Sequence, residues 1–252
     1  MQGLMEGKVA LVTGGGSGIG RAASLAFARE GAKVVVSDIN AEAGRETVHL
    51  IKGADGEALF LKADVSKAAD VEQMVNQTLT AYQGLNCAFN NAGISIDDRD
   101  TLLCTEEEWY KIMDVNLKGV WLCMKYEIPQ MIQKGGGAIV NTSSFAGLTA
   151  SSMGFVVYSA SKHGVIGLTK TAAVEFAKNR IRINAVCPGA TRTPMLERVV
   201  TNPQAEAQIA SRNPSNRIAS PTEVAKVVVF LCSDAASFVT GVAIPIDGGQ
   251  IL

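Results

Sequence analysis

The sequence predicts an α/β protein in which one doubly wound, Rossmann-like parallel sheet of about seven strands carries helices on both faces. Short apolar or β-branched runs alternate with longer amphipathic segments along the whole chain, as parallel strands with crossover helices require. Glycines, asparagines and other polar residues follow these runs directly, so they fall at the carboxyl ends of the strands, where open sheets bind ligands. We therefore expect a single domain over residues 1–252.

The composition argues against several function classes. The formal net charge of −1 disfavours nucleic acid or an anionic membrane as a partner. The longest apolar run, Val227–Cys232, is far shorter than the roughly 18 residues of a membrane span. The opening MQGLMEGK lacks a secretory signal pattern, which predicts a cytoplasmic protein. The five scattered cysteines predict reduced thiols, and neither His49 nor His163 has metal-ligand spacing, so we expect no metal centre.

The first predicted βαβ unit contains a glycine-rich turn. Lys8–Thr13 is predicted as a buried strand, RAASLAFAREGA as a helix and Lys33–Ser37 as the second strand. Glycines let the backbone approach a pyrophosphate, and the helix N-terminus supplies N–H groups and a positive dipole end. The pattern therefore predicts a dinucleotide site, although a tight turn without a ligand can carry the same glycines. The candidate cofactor-binding residues of this turn are Gly14, Ser17, Gly18, Ile19 and Gly20.

Asp38 closes the second strand and bears on the choice of cofactor. A carboxylate at this position can accept hydrogen bonds from the adenosine ribose hydroxyls, and it would repel a 2′-phosphate. Neither Ser17 nor Ile39 supplies a basic group that would offset this repulsion. The sequence therefore predicts NAD rather than NADP, with Asp38 and Ile39 at the adenosine end.

The remaining segments continue the alternation without a linker or an internal repeat. Further helices are predicted at Ala41–Lys52, Lys67–Gln83, Glu106–Lys134 with a bend near Pro129, and Thr222–Ser233. Further strands are predicted at Ala58–Lys62, Leu85–Asn90, Ala138–Thr142, Ile181–Cys187 and Val242–Ile246. Every candidate site residue then falls at one edge of the sheet.

A serine, a tyrosine and a lysine between Ser144 and Lys162 could form a proton-transfer site. Tyr158 and Lys162 are four residues apart and share one face of a predicted helix. An ammonium group near the phenol favours the phenolate, which can take a proton from an alcohol or return one to a carbonyl. Ser144 follows a strand and could hold the reacting oxygen. The pair alone could also be a tyrosine that packs against a lysine stem.

Several motifs occur together along the chain, and the combination is far more specific than any one of them. They are Thr13-Gly14-x-x-x-Gly18-Ile19-Gly20, Asp64, Asn90-Asn91-Ala92-Gly93, Asn116, Ser144, Tyr158-x-x-x-Lys162, Asn184 and Pro188-Gly189. On these residues the chain resembles the short-chain dehydrogenase/reductase family over essentially its whole length. The resemblance implies a nicotinamide-dependent oxidoreductase and a homotetramer.

The resemblance also implies a role for each matching residue. Tyr158 is the general acid/base, Lys162 lowers its pKa and binds the nicotinamide ribose, and Ser144 orients the substrate oxygen. Asn116 holds a water that links Lys162 to solvent, or alternatively only caps or bends its helix. The other implied cofactor contacts are Asp64 and Val65 at the adenine, Asn90, Asn91, Ala92 and Gly93 along the adenosine, and Pro188, Gly189, Thr191 and Thr193 at the carboxamide and phosphates. Thr191 stands where the family commonly has an aliphatic residue, and Thr193 could instead only start the next helix.

The region 190–214 is the least regular part of the sequence and resembles the family's mobile substrate loop. We expect its prolines, Pro194, Pro203 and Pro214, to break it. Apolar residues in and near this loop predict a pocket for a fairly apolar or cyclic secondary alcohol or ketone, unless they only pack the loop onto the domain. The candidate pocket residues are Ser95, Ala146, Leu148, Met153, Phe155, Met195 and Leu196.

The sequence leaves three functions open. The leading prediction is an NAD(H)-dependent oxidoreductase that transfers a hydride between nicotinamide and a secondary alcohol or ketone. The alternatives are an NADPH-dependent 3-oxoacyl-thioester reductase, against which Asp38 argues, and a non-catalytic dinucleotide sensor. The apolar C-terminal stretch IPIDGGQIL supports a subunit interface.

Overall fold

A computed structural model describes residues 3–95, 101–150 and 156–252. Its centre is a seven-stranded sheet in the order β3-β2-β1-β4-β5-β6-β7, and every neighbouring pair is parallel. This arrangement confirms the predicted fold class. The strands are β1 (Val9–Thr13), β2 (Lys33–Asp38), β3 (Ala58–Lys62), β4 (Cys87–Asn90), β5 (Gly137–Thr142), β6 (Ile181–Pro188) and β7 (Ala243–Ile246).

Helices cover both faces of the sheet. They are α1 (Gly18–Arg29), α2 (Ala41–Lys52), α3 (Ala68–Tyr82), α4 (Glu106–Met113), α5 (Gly119–Gln133), α6 (Val156–Phe176), α7 (Pro194–Glu197), α8 (Pro203–Ala210) and α9 (Pro221–Cys232). One core contains α1, α2 and α9, and the other contains α3, α5 and α6. Alternate residues of one strand enter opposite cores, as Val34 and Val35 of β2 do, because successive side chains of a strand point to opposite faces.

The chain changes direction between β1 and β4, and this change positions the site. After β1 the chain winds outward through β2 and β3, and after β4 it winds the other way through β5, β6 and β7. The connections that leave β1 and β4 therefore diverge and open a crevice at their carboxyl ends. The loops that begin at Gly14 and Asn91 border this crevice.

The segment predicted as one bent helix over Glu106–Lys134 is interrupted at a different place. Between α4 and α5 the chain forms a π-helical turn, Asp114–Lys118, while Pro129 lies inside α5. The buried Asn116 occupies this turn, and its side chain bonds to the loop after β4. Such turns accommodate an inserted residue, and they are frequent at functional sites. The sequence pattern gives no sign of one, because it leaves the apolar periodicity almost unchanged.

Two of the three prolines in the region 190–214, Pro194 and Pro203, start helices rather than break them, and Pro214 lies in a turn after the second of these helices. Pro194 and Pro203 each occupy the first position of a short helix, after the capping residues Thr193 and Asn202. Proline suits this position because its missing N–H would have no partner in the helix. An ion pair between Arg192 and Glu206 joins the two parts of the region.

In the described ranges, 3–95, 101–150 and 156–252, none of the helices has the length and apolar character needed to cross a membrane. In the same ranges no three or more histidine, cysteine, aspartate or glutamate side chains are grouped so that they could hold a metal ion.

Candidate active site

A serine, a tyrosine and a lysine come together at the carboxyl end of β5. Ser144 caps a short 3₁₀ turn, Phe145–Gly147, where its hydroxyl accepts a hydrogen bond from the Ala146 N–H at 3.2 Å. Tyr158 and Lys162 lie one turn apart near the start of α6. The Tyr158 hydroxyl hydrogen-bonds with the Ser144 side chain. The structure thus brings together the three side chains that the sequence suggested for proton transfer.

Lys162 is buried beside the tyrosine ring. Its Nζ donates a hydrogen bond of 2.9 Å to the Thr142 carbonyl and lies 5.4 Å from the centroid of the Tyr158 ring. Burial lowers the pKa of Lys162 to about 8, and the nearby Cys187 thiol opposes this change. At neutral pH most of the lysine still carries its charge, which can stabilise a phenolate at Tyr158.

The pKa of Tyr158 departs from the expectation in direction. Burial raises the pKa of this tyrosine, and the hydrogen bond with Ser144 opposes the change. The lowering expected from Lys162 is therefore not seen, because in this structure the cost of burying a phenolate outweighs the hydrogen bond with Ser144. Additional positive charge near the hydroxyl is needed to favour the phenolate at neutral pH.

Cys187 borders the site and is not among the residues that the sequence predicts there. Burial raises the pKa of its thiol to about 11, while hydrogen bonds from the Ser143 side chain and the Ser144 backbone and the charge of Lys162 oppose this change. The thiol is therefore neutral at physiological pH, and it lies against Ser143, Ser144 and Lys162. Its position directly before Pro188, at the carboxyl end of a predicted strand, is the signal that could have placed it.

Asn116 holds the loop after β4 against the π-helical turn. Its Oδ1 accepts a hydrogen bond of 2.8 Å from the Ile94 N–H, and its Nδ2 donates one of 2.9 Å to the Ile94 carbonyl. A side chain at the neighbouring Gly93 would place its Cβ 3.3 Å from Asn116 Oδ1 and 3.6 Å from Lys162 Nζ. The Asn116 amide is thus engaged with the loop backbone, and glycine at position 93 keeps this side of Lys162 clear.

The glycine-rich turn after β1 leaves a helix N-terminus open. Gly14 and Gly18 have φ values of +62° and +50°, which glycine adopts readily and other residues rarely do. A side chain at Gly20 would collide with the Gly14 carbonyl. Ser17 precedes α1 but makes no capping hydrogen bond, and the first turn of α1 holds no acidic residue. The first N–H groups of α1, including that of Ile19, therefore remain available for an anion.

Asp38 is held at the end of β2 with a defined orientation. Its Oδ2 accepts a hydrogen bond of 2.9 Å from the Gly16 N–H of the glycine-rich turn, and its Oδ1 accepts one of 2.9 Å from the Asn40 N–H. Each carboxylate oxygen keeps a lone pair for a further donor. The Ile39 side chain is 62% exposed next to it. The two residues form a carboxylate and an apolar surface at one end of the crevice.

Asn91 and Ala92 join the β4 loop to the glycine-rich turn across the crevice. Both backbone N–H groups donate to Thr13 Oγ1, at 3.0 and 3.1 Å, and Asn91 Nδ2 donates to the Thr13 carbonyl at 3.1 Å. Asn90, which the resemblance placed along the adenosine, ends β4 but does not turn its side chain to the crevice. Its side chain is buried and points away from the crevice toward α5, because consecutive strand residues face opposite ways.

Asp64 and Val65, the implied adenine contacts, are both engaged with the protein. Asp64 Oδ1 accepts hydrogen bonds from the Ser66 N–H at 3.0 Å and the Ser66 hydroxyl at 2.7 Å. The pKa of Asp64 is lowered overall. Burial alone would raise it, but the hydrogen bonds from Ser66 and the charge of Lys67 together have the larger effect. Val65 is buried and packs against Gly119.

The segment after β6 closes over the glycine-rich turn. Pro188 ends β6, and the Gly189 N–H bonds to the adjacent strand β7 at 3.0 Å. Thr191 is buried, and its hydroxyl donates to the Gly189 carbonyl at 3.1 Å. Thr193 caps α7, and its Cγ2 would lie 3.0 Å from a Cβ at Gly18. Thr193 therefore both starts a helix and lies beside the proposed phosphate site.

Only some of the candidate pocket residues lie where they could line a pocket. Met195 and Leu196 are half-buried on α7, and Ser95 is half-buried at the end of the β4 loop. Ala146 is fully buried under the Ser144 turn, so it supports that turn and does not line an open pocket. Met153 and Phe155 lie outside the described residues.

Comparisons with known proteins agree with this geometry over nearly the whole chain. A family model described as enoyl-(acyl carrier protein) reductase matches residues 14–250. The 2,5-dichloro-2,5-cyclohexadiene-1,4-diol dehydrogenase of Sphingobium indicum is 44% identical over 247 residues, which cover 97% of each chain. The cyclohexanol dehydrogenase of an Acinetobacter species is 44% identical over 248 residues, which cover 98% of this chain and 96% of its own.

A solved structure supports the same relationship. The crystal structure of levodione reductase superposes with a TM-score of 0.95 at 39% identity and covers 98% of each chain. Fold, sequence and the grouping of serine, tyrosine and lysine at the crevice therefore agree. From these similarities, the chain belongs to the short-chain dehydrogenase/reductase family of oxidoreductases.

Proposed function

We propose that this chain is an NAD(H)-dependent oxidoreductase that interconverts an apolar, cyclic secondary alcohol and its ketone. The observation that carries the proposal is the hydrogen-bonded Ser144 and Tyr158 pair with the buried Lys162 beside it, at the edge of the crevice. Similarity to dehydrogenases named for cyclohexanol and for a cyclohexadienediol supports the cyclic substrate.

The residues around the crevice fit a nicotinamide dinucleotide. The uncapped N-terminus of α1 and the glycines before it can bind a pyrophosphate, and the oriented Asp38 carboxylate can accept ribose hydroxyls. The loop from Asn91 to Gly93 connects the glycine-rich turn with Lys162, which lies beside Tyr158. When bound, the nicotinamide would supply the hydride acceptor or donor.

In this proposal the protein moves the proton while the hydride is transferred. Ser144 donates to the substrate oxygen and holds it beside Tyr158. During oxidation the Tyr158 phenolate takes the hydroxyl proton, and during reduction the phenol returns it to the carbonyl oxygen. Lys162 stabilises the phenolate by its charge and is itself held by the Thr142 carbonyl. Because burial raises the pKa of Tyr158, oxidation should speed up with rising pH and reduction should be favoured at lower pH.

Replacing Asp38 by Ala should weaken the use of NAD and remove the discrimination against NADP. Hydrogen bonds to a charged group contribute about 1.5–3 kcal/mol, so we expect kcat/KM for NAD to fall by roughly 10–100-fold. The value for NADP should stay level or rise, because the repulsion of its 2′-phosphate is gone. Arg21, the basic residue that follows the glycine-rich turn, donates to Thr47 Oγ1 at 3.0 Å and is held on α2.

The matched control is Asn40→Ala, which removes the cap of α2 but leaves the carboxylate in place. Initial rates with both cofactors would separate the two variants. A wild-type enzyme that prefers NADP, or an Asp38→Ala enzyme with an unchanged ratio of NAD to NADP, would contradict the proposed cofactor.

A second candidate is an NADPH-dependent 3-oxoacyl-thioester reductase. The description of the matching family model, which refers to acyl carrier protein, favours it. Asp38 argues against it, because a carboxylate held at the end of β2 would repel a 2′-phosphate. Faster turnover of a 3-oxoacyl thioester with NADPH than of any cyclic ketone with NADH would support this candidate.

The proposal includes a substrate loop, a homotetramer and a cytoplasmic location. Residues 190–214 would cover the substrate within the single domain, with α7 and α8 as the rigid parts of this loop.

Large apolar side chains are exposed on α4, α5 and α6 and near β7, as expected for two kinds of subunit contact. They include Tyr110, Trp121, Val174, Phe238 and Leu252. Light scattering at assay concentration should give the mass of four chains, and a monomer would contradict this assembly.

A further inference from the structure

Glu127 is a fully buried acid that the proposed chemistry does not use. It lies in α5, beneath the sheet edge that carries the site. Asn90 Nδ2 donates a hydrogen bond of 3.0 Å to Glu127 Oε2 and a second one of 3.1 Å to Asn141 Oδ1. Two buried oxygen atoms of this cluster have no donor, Glu127 Oε1 and Asn90 Oδ1. Both are acceptors when the carboxyl is ionised, so neither can satisfy the other.

No cation in the described ranges 3–95, 101–150 and 156–252 faces this carboxyl. From its own helix the titratable neighbour is the Cys123 thiol, whose pKa is raised by burial and by Glu127. The buried residues of α3 are Val71, Met74, Val75 and Thr78, the strand β5 holds no titratable residue, and Arg182 of β6 is bound to the Leu231 and Ser233 carbonyls. An isolated buried carboxylate is costly, and proteins avoid it by keeping the proton.

We propose that Glu127 is a neutral carboxylic acid joined to Asn90 by two antiparallel hydrogen bonds, and that this pair positions the carboxyl ends of β4 and β5 for catalysis. In the pair, Asn90 Nδ2 donates to Glu127 Oε2, and the proton on Glu127 Oε1 is donated to Asn90 Oδ1. A single proton thus gives both of the unsatisfied oxygen atoms a hydrogen-bond partner. The direction of the pKa shift agrees, since burial raises the pKa of Glu127 to about 7, with the Asn90 hydrogen bond opposing.

The pair connects directly to the groups that bind and react. Asn90 precedes Asn91, which joins the β4 loop to the glycine-rich turn. Asn141 precedes Thr142, whose carbonyl holds Lys162. Asn141 Nδ2 also donates to Thr169 Oγ1 at 3.0 Å, which ties the cluster to α6, the helix of Tyr158 and Lys162. Glu127 is therefore a positioning residue, and this second half of the inference depends on the proposed function.

The protonation state can be tested without any activity. The infrared spectrum of the wild-type protein at pH 6 should contain the carbonyl stretch of a protonated carboxylic acid, and this band should be missing in Glu127→Gln. The glutamine side chain of this variant cannot titrate, yet its amide can donate to Asn90 Oδ1 and accept from Nδ2, so the variant should fold. A wild-type spectrum without that band would overturn the proposal.

The melting temperature gives a second test with a definite sign. A carboxyl with a raised folded-state pKa stabilises the fold fully below its usual pKa of 4.5, and this contribution is lost as the pH rises through about 7. As the pH rises from 4.5 to about 7, the melting temperature of the wild type relative to Glu127→Gln should therefore fall by on the order of 10 °C, and above that pH the difference should level off. A difference that is constant with pH would contradict the neutral acid.

The positioning role needs a comparison of kinetic constants. We expect Glu127→Gln to keep kcat/KM within about threefold, because it keeps both hydrogen bonds, and Glu127→Leu to lose at least about tenfold, because Asn90 loses its partner. The neighbouring buried Ile128→Ala serves as the control for simple destabilisation of α5 and should keep its turnover. Equal losses in Glu127→Leu and Ile128→Ala would reduce Glu127 to a structural residue. Failure of the proposed function would appear separately, as an inactive wild type with an intact infrared band.

Discussion

Replacing Tyr158 by Phe should lower kcat by about 10²–10⁴-fold while cofactor binding remains close to that of the wild type. The phenol is the group that exchanges a proton with the substrate oxygen, and phenylalanine keeps the ring and its packing. The Ser144 hydroxyl loses its tyrosine partner but stays fixed by the Ala146 N–H. Initial rates of alcohol oxidation, combined with fluorescence titration of the reduced cofactor, would measure both quantities on one preparation.

The matched control is Tyr126→Phe, which removes a phenol hydroxyl from α5, outside the proposed site. It should leave kcat unchanged. The same pair of variants addresses the third hypothesis from the sequence, a non-catalytic sensor, because a sensor would keep its signal in Tyr158→Phe. Wild-type turnover in Tyr158→Phe would mean that another group exchanges the proton.

Replacing Lys162 by Met should cost about 10²-fold or more in kcat and move the pH profile of oxidation to higher pH. Nζ lies 5.4 Å from the Tyr158 ring centroid and carries the positive charge that favours the phenolate. Methionine fills similar space without the charge, so the pKa of Tyr158 should rise further. Rates measured across the pH range with a saturating alcohol would report both effects.

Lys170→Met is the control for loss of a lysine from the same helix, because Lys170 is exposed on α6. Its pH profile should overlay that of the wild type. If Lys162→Met lost activity without any displacement of its pH profile, the lysine would act only by holding the Thr142 carbonyl and the cofactor, and its proposed electrostatic role would be wrong.

The regular elements could be predicted because local patterns determine them. The alternation of apolar runs with amphipathic segments predicted all seven strands, and the bounds of Ala41–Lys52 and Ala58–Lys62 agree with the structure at both ends. The glycines after β1 were informative because close approach to another backbone allows no side chain there, as the contact between Gly20 and the Gly14 carbonyl illustrates. Spacing along a helix likewise sufficed to place Tyr158 and Lys162 together.

Contacts between distant side chains could not be predicted in the same way. Asn90 and Asn91 are adjacent in one motif, yet Asn91 faces the crevice and Asn90 faces a buried acid 37 residues away. The π-helical turn at Asn116 depends on hydrogen bonds to Ile94, which no local pattern reveals. The direction of the pKa shift at Tyr158 depends on burial, and burial of a single hydroxyl is a property of the whole fold.

The most direct test of the proposed function is the initial rate of cofactor reduction by the wild-type protein across a panel of secondary alcohols. The panel would contain apolar cyclic, steroidal, sugar and acyclic members, each measured in parallel with NAD and with NADP. We predict turnover with NAD on at least one apolar cyclic alcohol and much slower turnover of the same alcohol with NADP. Turnover with NADP alone would contradict the role assigned to Asp38. Turnover of sugars alone would contradict the predicted apolar pocket.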